Sequence, residues 1–321
     1  MQAIVYDTYG SPDVLRFADL PRPVAKANEV LIRISATTVN RTDCGVRSGE
    51  PWIVRLFSGI VRPKYKILGN ELAGEVAAVG ADVTAFKVGD QVCGYTGDGL
   101  GAHAEYICLP DDAALVLAPS ELPPEQACTI WDGPWLALAC LRKAKVGRGT
   151  QLLIYGASGS IGSSAVQLAK HLGAHVTAVC ASKNLELVKA LGADEVVDYT
   201  QTDFTQLGRT FDVVLDAVGK STFGACKRLV KPAGLYMSTD LGPWWQNPLL
   251  EAWTGIVGGK KAKLAIPDMK RVREDLQLIK QLFETKQLRP VIDRTYPFAQ
   301  IVEAHRYVET EQKTGSVVIV L

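Results

Sequence analysis

The sequence predicts an α/β protein of two domains, one rich in β-strands and one built on a parallel sheet with helices on both faces. Its 321 residues are more than one hydrophobic core usually organises. Residues 1–120 form short strand-like runs broken by turns, without long helical patterns between them, which is typical of a β-rich domain. From residue 151 to about residue 237, strand-like and helix-like segments alternate tightly, which favours a parallel sheet.

The elements of the first part are short. Residues 30–34 and 75–79 are typical of strands, and Gly89 and Asp90 form a turn between two further strand-like pieces. A helix is predicted to begin soon after Ser120, because the prolines that follow it are tolerated in a first helical turn.

The alternating part is predicted as five strands with three helices between them. The predicted strands are 151–155, 175–180, 195–198, 211–217 and 234–238, and the predicted helices are 160–172, 183–191 and 221–230. A strand-like segment at 262–266 and an amphipathic helix over 269–285 come next. The chain ends with a helix over 299–309 and a strand over 316–321.

Composition narrows the classes of function. Lys and Arg number 35 against 34 for Asp and Glu, a net charge of +1, which argues against a nucleic-acid or membrane-surface partner. No run approaches the roughly 18 apolar residues of a membrane span, and the amino end lacks a signal-peptide pattern. The seven cysteines have no C-x-x-C spacing, which favours reduced thiols over a disulfide framework or a zinc knuckle. We therefore expect a cytoplasmic protein.

A glycine-rich turn follows the first strand of the alternating part. Gly156, Gly159 and Gly162 stand between an apolar strand and a helix. Small residues let the backbone approach a pyrophosphate, and the helix start offers N–H groups and a positive dipole. The spacing departs from G-x-G-x-x-G, and a purely structural turn is the alternative. Its position inside a strand–turn–helix–strand unit favours dinucleotide binding.

The end of the second strand of this unit indicates which dinucleotide binds. A fold that prefers NAD usually has an acidic residue about twenty residues past the turn. Residues 178–184 contain no carboxylate and offer the hydroxyl of Ser182 and the cation of Lys183 instead. This chemistry fits the 2′-phosphate of NADP, so NADPH is the expected cofactor. The alternative is that Ser182 only caps a helix and Lys183 is a solvated charge.

Motifs in both halves of the chain indicate one family. They are the glycine turn with Gln167 and Lys170 in the helix after it, and the segments 39–43, 69–76, 88–92, 216–219 and 314–319. With these motifs the chain resembles the medium-chain dehydrogenase/reductase superfamily, and within it the zinc-independent quinone oxidoreductase and enone (alkenal) reductase branch. The resemblance spans essentially the whole chain. It implies a GroES-like domain over 1–120 and 286–321, a Rossmann NADP-binding domain over 121–285, and a cofactor in the cleft between them.

The resemblance also implies the residues that bind the cofactor. Those expected at the pyrophosphate are Ser158, Gly159, Ser160, Ile161 and Gly162. Those expected around the adenosine phosphate are Ser182, Lys183 and Tyr199. Those expected on the nicotinamide side are Val218, Thr239, Asp240 and Leu241.

The expected catalytic residues lie in the first domain. By the resemblance, Asn40 would orient the nicotinamide or the substrate, and Tyr65 is a second candidate in the cleft. Asp43 is expected to fix the local loop. The resemblance also implies a homodimer, formed through the edge of the Rossmann sheet near residues 262–266.

The residue types at the zinc positions argue against a catalytic metal. Zinc-dependent relatives use a Cys, a His-Glu pair and a later Cys, because Zn²⁺ prefers thiolate and imidazole ligands. The matching positions here are Asn40, Asn70 followed by Glu71, and Trp131 or Asp132. A neutral amide is a poor zinc ligand, so no metal site is predicted.

The predicted reaction is hydride transfer from NADPH to a quinone or to the β-carbon of an α,β-unsaturated carbonyl. Without a metal, oxidation of a simple alcohol is poorly supported, whereas a conjugated acceptor spreads its own developing charge. The proton would come from water or a nearby hydroxyl. Trp131 and Trp135 replace a small apolar run of the family, and they either narrow the pocket or pack in the core. The alternative function is a non-catalytic, NADPH-binding, redox-responsive scaffold or regulator.

Overall fold

The computed structural model describes residues 1–242 and 245–321, apart from the side chain of Asp98, and these residues form two compact units. The first unit consists of Met1–Asp132, Val272–Glu284 and Ile292–Leu321, and the second of Gly133–Arg271 and Thr285–Val291.

Fifteen strands and ten α-helices lie in the described part of the chain. The strands are β1 (Gln2–Val5), β2 (Arg16–Asp19), β3 (Glu29–Val39), β4 (Glu71–Val79), β5 (Gln91–Tyr95), β6 (Tyr106–Pro110), β7 (Leu115–Leu117), β8 (Gln151–Tyr155), β9 (His175–Cys180), β10 (Glu195–Asp198), β11 (Phe211–Asp216), β12 (Val230–Ser238), β13 (Lys261–Leu264), β14 (Ile292–Pro297) and β15 (Ser316–Val320). The helices are α1 (Arg41–Ser48), α2 (Arg55–Ser58), α3 (Pro124–Ala127), α4 (Leu136–Lys143), α5 (Ser160–His171), α6 (Leu185–Ala190), α7 (Phe223–Cys226), α8 (Gln246–Val257), α9 (Val272–Glu284) and α10 (Ile301–Glu309).

The first unit is β-rich, as the sequence predicts. Its larger sheet has the order β14-β15-β3-β4-β5-β7, with β6 pairing with the first half of β3, and β1 and β2 form a separate hairpin-like pair. The long strand β3 organises this sheet, because its buried residues Val30, Ile32 and Ile34 pack in one core cluster with Leu72 and Val92.

The units differ from the predicted domains at three places: residues 121–132 and 272–284 belong to the first unit, and residues 286–291 belong to the second. Residues 121–132 belong to the first unit, where α3 contacts β3 and β4 and the Cys128 thiol lies 3.8 Å from Thr37 O. Helix α9 also belongs there, because it packs against β7 and Arg273 Nε donates to Ala113 O at 2.9 Å.

The second unit is a six-stranded parallel sheet with the order β10-β9-β8-β11-β12-β13. Counted along the chain this order is 3-2-1-4-5-6, the doubly wound Rossmann order. Its central strand is buried along Leu152, Leu153 and Ile154, as a sheet covered on both faces requires. The predicted fold class is confirmed. The strand order reverses between β8 and β11, and ligands of such sheets bind at the carboxyl ends of the strands there.

The second unit differs from the prediction at helices α4, α7 and α8, of which α4 has no predicted counterpart. Helix α7 ends at Cys226 because β12 begins at Val230, which pairs with Phe211 of β11. Helix α8 was not predicted, since its buried residues are the polar Asn247 and Thr254. Helices are predicted from the periodicity of apolar residues on a buried face, and a helix whose buried residues are polar lacks this signal.

Strand β13 is an edge strand of this sheet, and its backbone groups that face away from β12 form hydrogen bonds with side chains. The N–H groups of Ala262 and Leu264 donate to Thr254 Oγ1 at 3.1 Å and Glu251 Oε2 at 3.0 Å. Lys143 Nζ donates to Leu264 O at 2.6 Å. Open strand edges recruit further strands, and a second copy at this edge would meet side chains instead. The dimer contact expected here stays a prediction.

Candidate active site

The turn between β8 and α5 brings the residues expected at the pyrophosphate together. Helix α5 begins at Ser160 with Gly159 as N-cap, and no side chain in the described part of the chain caps it. A Cβ added at Gly162 would lie 2.1 Å from Gly156 O, so the helix packs directly on the backbone of the turn. An uncapped helix start offers N–H groups and a positive dipole to an anion. These residues fit a dinucleotide pyrophosphate.

The end of β11 flanks this turn. Ala217 N–H donates to Tyr155 O at 3.0 Å, which continues the pairing of the two strands by one residue. A Cβ added at Gly156 would lie 2.4 Å from Val218 Cγ1, so Val218 borders the turn. Its side chain is 41% exposed at the reversal of strand order, where the sheet binds ligands.

Asp216 holds the segment that carries Val218. Its fully buried carboxylate accepts from four groups: Val218 N at 3.1 Å, Gly219 N at 2.8 Å, Ser221 N at 2.8 Å and Tyr236 Oη at 3.2 Å. Burial raises the pKa of this carboxyl, and the three backbone donors act in the opposite direction. The sequence offers the segment 216–219 as a motif but does not indicate this organising role.

The residues expected on the nicotinamide side from β12 lie next to this segment. Thr239 N–H donates to Asp216 O at 3.1 Å, and a Cβ added at Gly219 would lie 2.3 Å from Asp240 Cβ. Asn247 Nδ2 donates to Asp240 O at 2.7 Å, and Asn247 N–H donates to Leu241 O at 3.1 Å. The structure therefore brings Val218 together with residues 239–241 at the carboxyl ends of the neighbouring strands β11 and β12.

Ser182, which is expected at the adenosine phosphate, is hydrogen-bonded to a carboxylate that no local sequence pattern indicates. Ser182 Oγ donates to Asp198 Oδ2 at 2.5 Å and lies 2.9 Å from Thr200 Oγ1. The hydrogen bond from Ser182 lowers the pKa of Asp198. Asp198 ends β10 opposite Cys180, the last residue of β9, and the register of two parallel strands is not visible in the sequence.

Two further contacts join the segments around Ser182 and Tyr199 to the glycine-rich turn and to β8. Asn184 Nδ2 donates to Ser158 Oγ at 2.9 Å. Tyr199 is 44% exposed and meets the ring of Tyr155 edge-on at 6.0 Å. Ser158, Ser182 and Tyr199 thus surround one surface at the carboxyl ends of β8, β9 and β10, beside an ionised carboxylate.

Asn40 starts helix α1 in a reciprocal capping arrangement. Asp43 N–H donates to Asn40 Oδ1 at 3.1 Å, and Asn40 N–H donates to Asp43 Oδ2 at 3.0 Å. The second oxygen of Asp43 accepts from Gly69 N at 3.0 Å. Asn40 Nδ2 donates to Asn70 Oδ1 at 2.7 Å, so the two amides at the zinc positions are in direct contact.

Glu71 is a buried acid beside this amide pair. It accepts a hydrogen bond from the Thr38 hydroxyl, and Asp132 N–H donates to its Oε2 at 3.0 Å. Desolvation, together with the nearby charge of Asp132, raises the pKa of Glu71 to about 8. Glu71 is therefore mostly protonated at neutral pH.

Tyr65 and the two tryptophans contribute packing. Tyr65 packs against a core cluster that includes Tyr6 and Leu68, and among the described residues no hydrogen bond joins it to Asn40. Trp131 and Trp135 are only 5% and 2% exposed. Trp131 stacks on Tyr95 at 3.7 Å, so the structure favours their packing in the core.

Within residues 1–242 and 245–321, no group of three His, Cys, Asp or Glu side chains is arranged to hold a metal ion. By the resemblance, Asn40 and Asn70 stand at positions of zinc ligands in zinc-dependent relatives, and here their amides are hydrogen-bonded to each other. No helix in the same ranges is long and apolar enough to cross a membrane.

We expect the stability of the protein to fall with rising pH because of Glu71, and Glu71→Gln to remove this dependence. The pKa of Glu71 rises from 4.5 to about 8 on folding, so the folded state binds more protons than the unfolded state in this range. The contribution of Glu71 to stability is then fully present below pH 4.5 and falls by up to about 1.4 kcal/mol per pH unit towards pH 8. Glutamine reproduces the protonated acid, since its Nε2 can donate to Thr38 and its Oε1 can accept from Asp132 N.

The measurement is urea unfolding of wild type and Glu71→Gln at several pH values between 5 and 8. Glu75→Gln is the matched control, because Glu75 lies in the same strand with a half-exposed side chain. A pH slope that is the same in wild type and Glu71→Gln would contradict the prediction.

Comparison with known proteins places the chain in a family. Residues 26–120 match the family model of the alcohol dehydrogenase GroES-like domain, and residues 191–319 match that of the zinc-binding dehydrogenases. A 2-methylene-furan-3-one reductase of Solanum lycopersicum is 32% identical over 99% of this chain and 79% of its own. A chloroplastic NADPH-dependent alkenal/one oxidoreductase of Arabidopsis thaliana is 29% identical over the same shares. The solved quinone oxidoreductase of Coxiella burnetii superposes with a TM-score of 0.88 at 28% identity, over 100% of this chain and 99% of that one.

The chain belongs to the medium-chain dehydrogenase/reductase superfamily and is similar to its quinone oxidoreductases and alkenal/one oxidoreductases. It is an oxidoreductase that uses a nicotinamide cofactor. The family predicted from the sequence motifs is confirmed.

Proposed function

We propose that the protein transfers hydride from NADPH, without zinc, to a quinone or to the activated double bond of an α,β-unsaturated carbonyl. The observation that carries the proposal is the neutral pair Asn40–Asn70 at the zinc-matching positions of a chain with a nucleotide-binding turn. A conjugated acceptor needs hydrogen bonds rather than a Lewis acid to stabilise its developing charge. The names of the tomato, Arabidopsis and Coxiella relatives support acceptors of these two classes.

Different residues of the chain would bind the cofactor and act on the acceptor. A bound reduced nicotinamide supplies the hydride. The start of α5 holds the pyrophosphate by N–H groups and helix dipole, while Val218 offers an apolar surface at the end of β11. In the first unit, Asn40, Asn70 and protonated Glu71 carry no negative charge, which suits an acceptor oxygen that gains negative charge.

Oxidation of NADPH, followed by the absorbance of the reduced nicotinamide, tests the function against a panel of enones and quinones. Metal content is measured on the same purified protein. Turnover by metal-free protein is the expected result. Tight NADPH binding without turnover on any acceptor would instead support a redox-responsive scaffold, and zinc at one equivalent per chain would contradict the zinc-independent mechanism.

We expect Lys183→Glu to weaken NADPH binding by at least about tenfold and NADH binding by less than about threefold. The reason is that the reversed charge would repel the 2′-phosphate beside the ionised carboxylate of Asp198. The matched control is Lys189→Glu, at an exposed lysine in α6 that donates to Asp194 O. Dissociation constants from nicotinamide fluorescence measure the effect, and equal losses for both cofactors would refute the phosphate-binding role.

We also propose that the protein works as a homodimer in the cytoplasm. The seven cysteines are free thiols in the structure, which suits a reducing compartment. Light scattering at micromolar concentration tests the assembly, and a single monomeric species would contradict it.

A further inference from the structure

Two buried asparagines in the first unit form a pair whose hydrogen bonds fix both amide orientations. Asp43 N–H donates to Asn40 Oδ1, so this oxygen faces the first turn of α1. The nitrogen of the same amide then faces the other way, and it donates to Asn70 Oδ1 at 2.7 Å. A primary amide carries its acceptor on one side and its donors on the other. The helix cap at Asn40 therefore also determines that Asn70 directs its Nδ2 away from the pair.

Asn70 Nδ2 is a donor that takes no part in the hydrogen bonds of this pair. It donates to no acceptor within residues 1–242 and 245–321. The fully buried polar atoms without a partner do not include it, so this nitrogen is partly accessible to solvent. Asn70 is only 4% exposed, so its nitrogen contributes to that small exposed fraction. A donor in such a nearly dry position meets little competition from water, which strengthens a hydrogen bond to a ligand.

The backbone around Asn70 is held firmly. Thr96 N–H donates to Asn70 O at 2.9 Å, and Gly69 N–H on the preceding residue donates to Asp43. Glu71, the next residue, begins β4. A donor that is fixed before the reaction stabilises developing charge without reorganisation at the moment of reaction.

We propose that Asn70 Nδ2 binds the carbonyl oxygen of the hydride acceptor and stabilises the negative charge that develops there, with Asn40 as its positioning residue. The inference rests on the proposed function. Hydride from NADPH, which is oxidised to NADP⁺, bonds to the β-carbon. The electron pair of the carbon–carbon double bond moves between the α-carbon and the carbonyl carbon, and the carbonyl pair moves onto oxygen. The α-carbon then takes a proton from water as the carbonyl forms again. For a quinone, hydride bonds to one carbonyl oxygen, and the other, conjugated oxygen becomes the phenolate that Asn70 Nδ2 binds.

The test compares Asn70→Leu and Asn70→Asp with wild type in steady-state reduction of an enone. Both substitutions remove the amide donor, so we expect kcat to fall by about 10²- to 10³-fold, while the Kd for NADPH stays within about twofold. The carboxyl introduced by Asn70→Asp can donate only when protonated. Activity of this variant should therefore rise as pH falls, which a purely structural role would not produce.

Two control variants separate positioning from packing. Asn40→Ser keeps an N-cap but removes the donor that orients Asn70, so we expect a smaller loss, about tenfold, in kcat. Thr37→Val removes a buried hydroxyl that donates to Glu71 O at 2.7 Å, one residue beyond Asn70, and should leave kcat within about threefold. Thermal unfolding of each variant reports on folding.

The inference is overturned if Asn70→Leu, folded and binding NADPH, reduces the enone within about threefold of the wild-type kcat. It is also overturned if Asn70→Asp loses activity without any recovery at low pH. Failure of the proposed function would look different, because wild type itself would then reduce no enone or quinone.

Discussion

Gly162→Ala should destabilise the protein by about 2–4 kcal/mol and weaken NADPH binding at least about 100-fold. The added Cβ would lie 2.1 Å from Gly156 O and 2.8 Å from Ala157 Cα. Both are backbone atoms of the tight turn, so neither can move aside as a flexible side chain would. Relief of the clash has to shift the start of α5 away from β8, and this displaces the N–H groups that would hold the pyrophosphate.

Gly159→Ala is the matched control for this prediction. A Cβ at Gly159 would find its nearest neighbour, Gly156 O, at 3.6 Å, which is an ordinary contact. Because Gly159 is the N-cap of α5, alanine there should cost no more than about 1 kcal/mol. Urea unfolding followed by circular dichroism measures both variants, and titration with NADPH measures binding. Equal stability of the two variants would show that the close packing of Gly162 is not needed.

The sequence was sufficient for the features that depend on local patterns. Strands β8, β9 and β10 have the predicted bounds, because short apolar runs between glycine-containing turns are strong signals. The strand before the turn at residues 156–162 and the helix after it were likewise predicted, and this arrangement is the basis on which the turn is predicted to bind a nucleotide.

Features that depend on contacts between distant segments could not be predicted. Asp198 joins Ser182 only because β10 lies beside β9 in parallel register, and nothing local to residue 182 shows this. The contact of Asn40 with Asn70 likewise joins segments that are distant in the sequence. The zinc-matching positions indicate the two residues but not their hydrogen bond. Helix α8 was missed because its buried face is polar.

Asp216→Ala should have the largest effect on stability, a loss of about 3–5 kcal/mol. The substitution leaves the N–H groups of Val218, Gly219 and Ser221 and the hydroxyl of Tyr236 without their buried acceptor. Partly buried donors that lose their acceptor cost more than a hydrogen bond gains on folding, because their lost hydration is not fully replaced. The segment that places Val218 beside the glycine turn should then rearrange, and NADPH binding should weaken with it.

Two milder substitutions test whether the carboxylate acts through its several bonds at once. Asp216→Asn keeps the size and one acceptor oxygen, so we expect a loss of about 1–3 kcal/mol. Tyr236→Phe removes only the bond of 3.2 Å and should cost no more than about 1.5 kcal/mol. Unfolding by urea ranks the three variants. If Tyr236→Phe cost as much as Asp216→Ala, the tyrosine contact rather than the three backbone bonds would hold the segment. The order Ala, Asn, Phe would instead show that the backbone bonds of one carboxylate fix the loop at the end of β11.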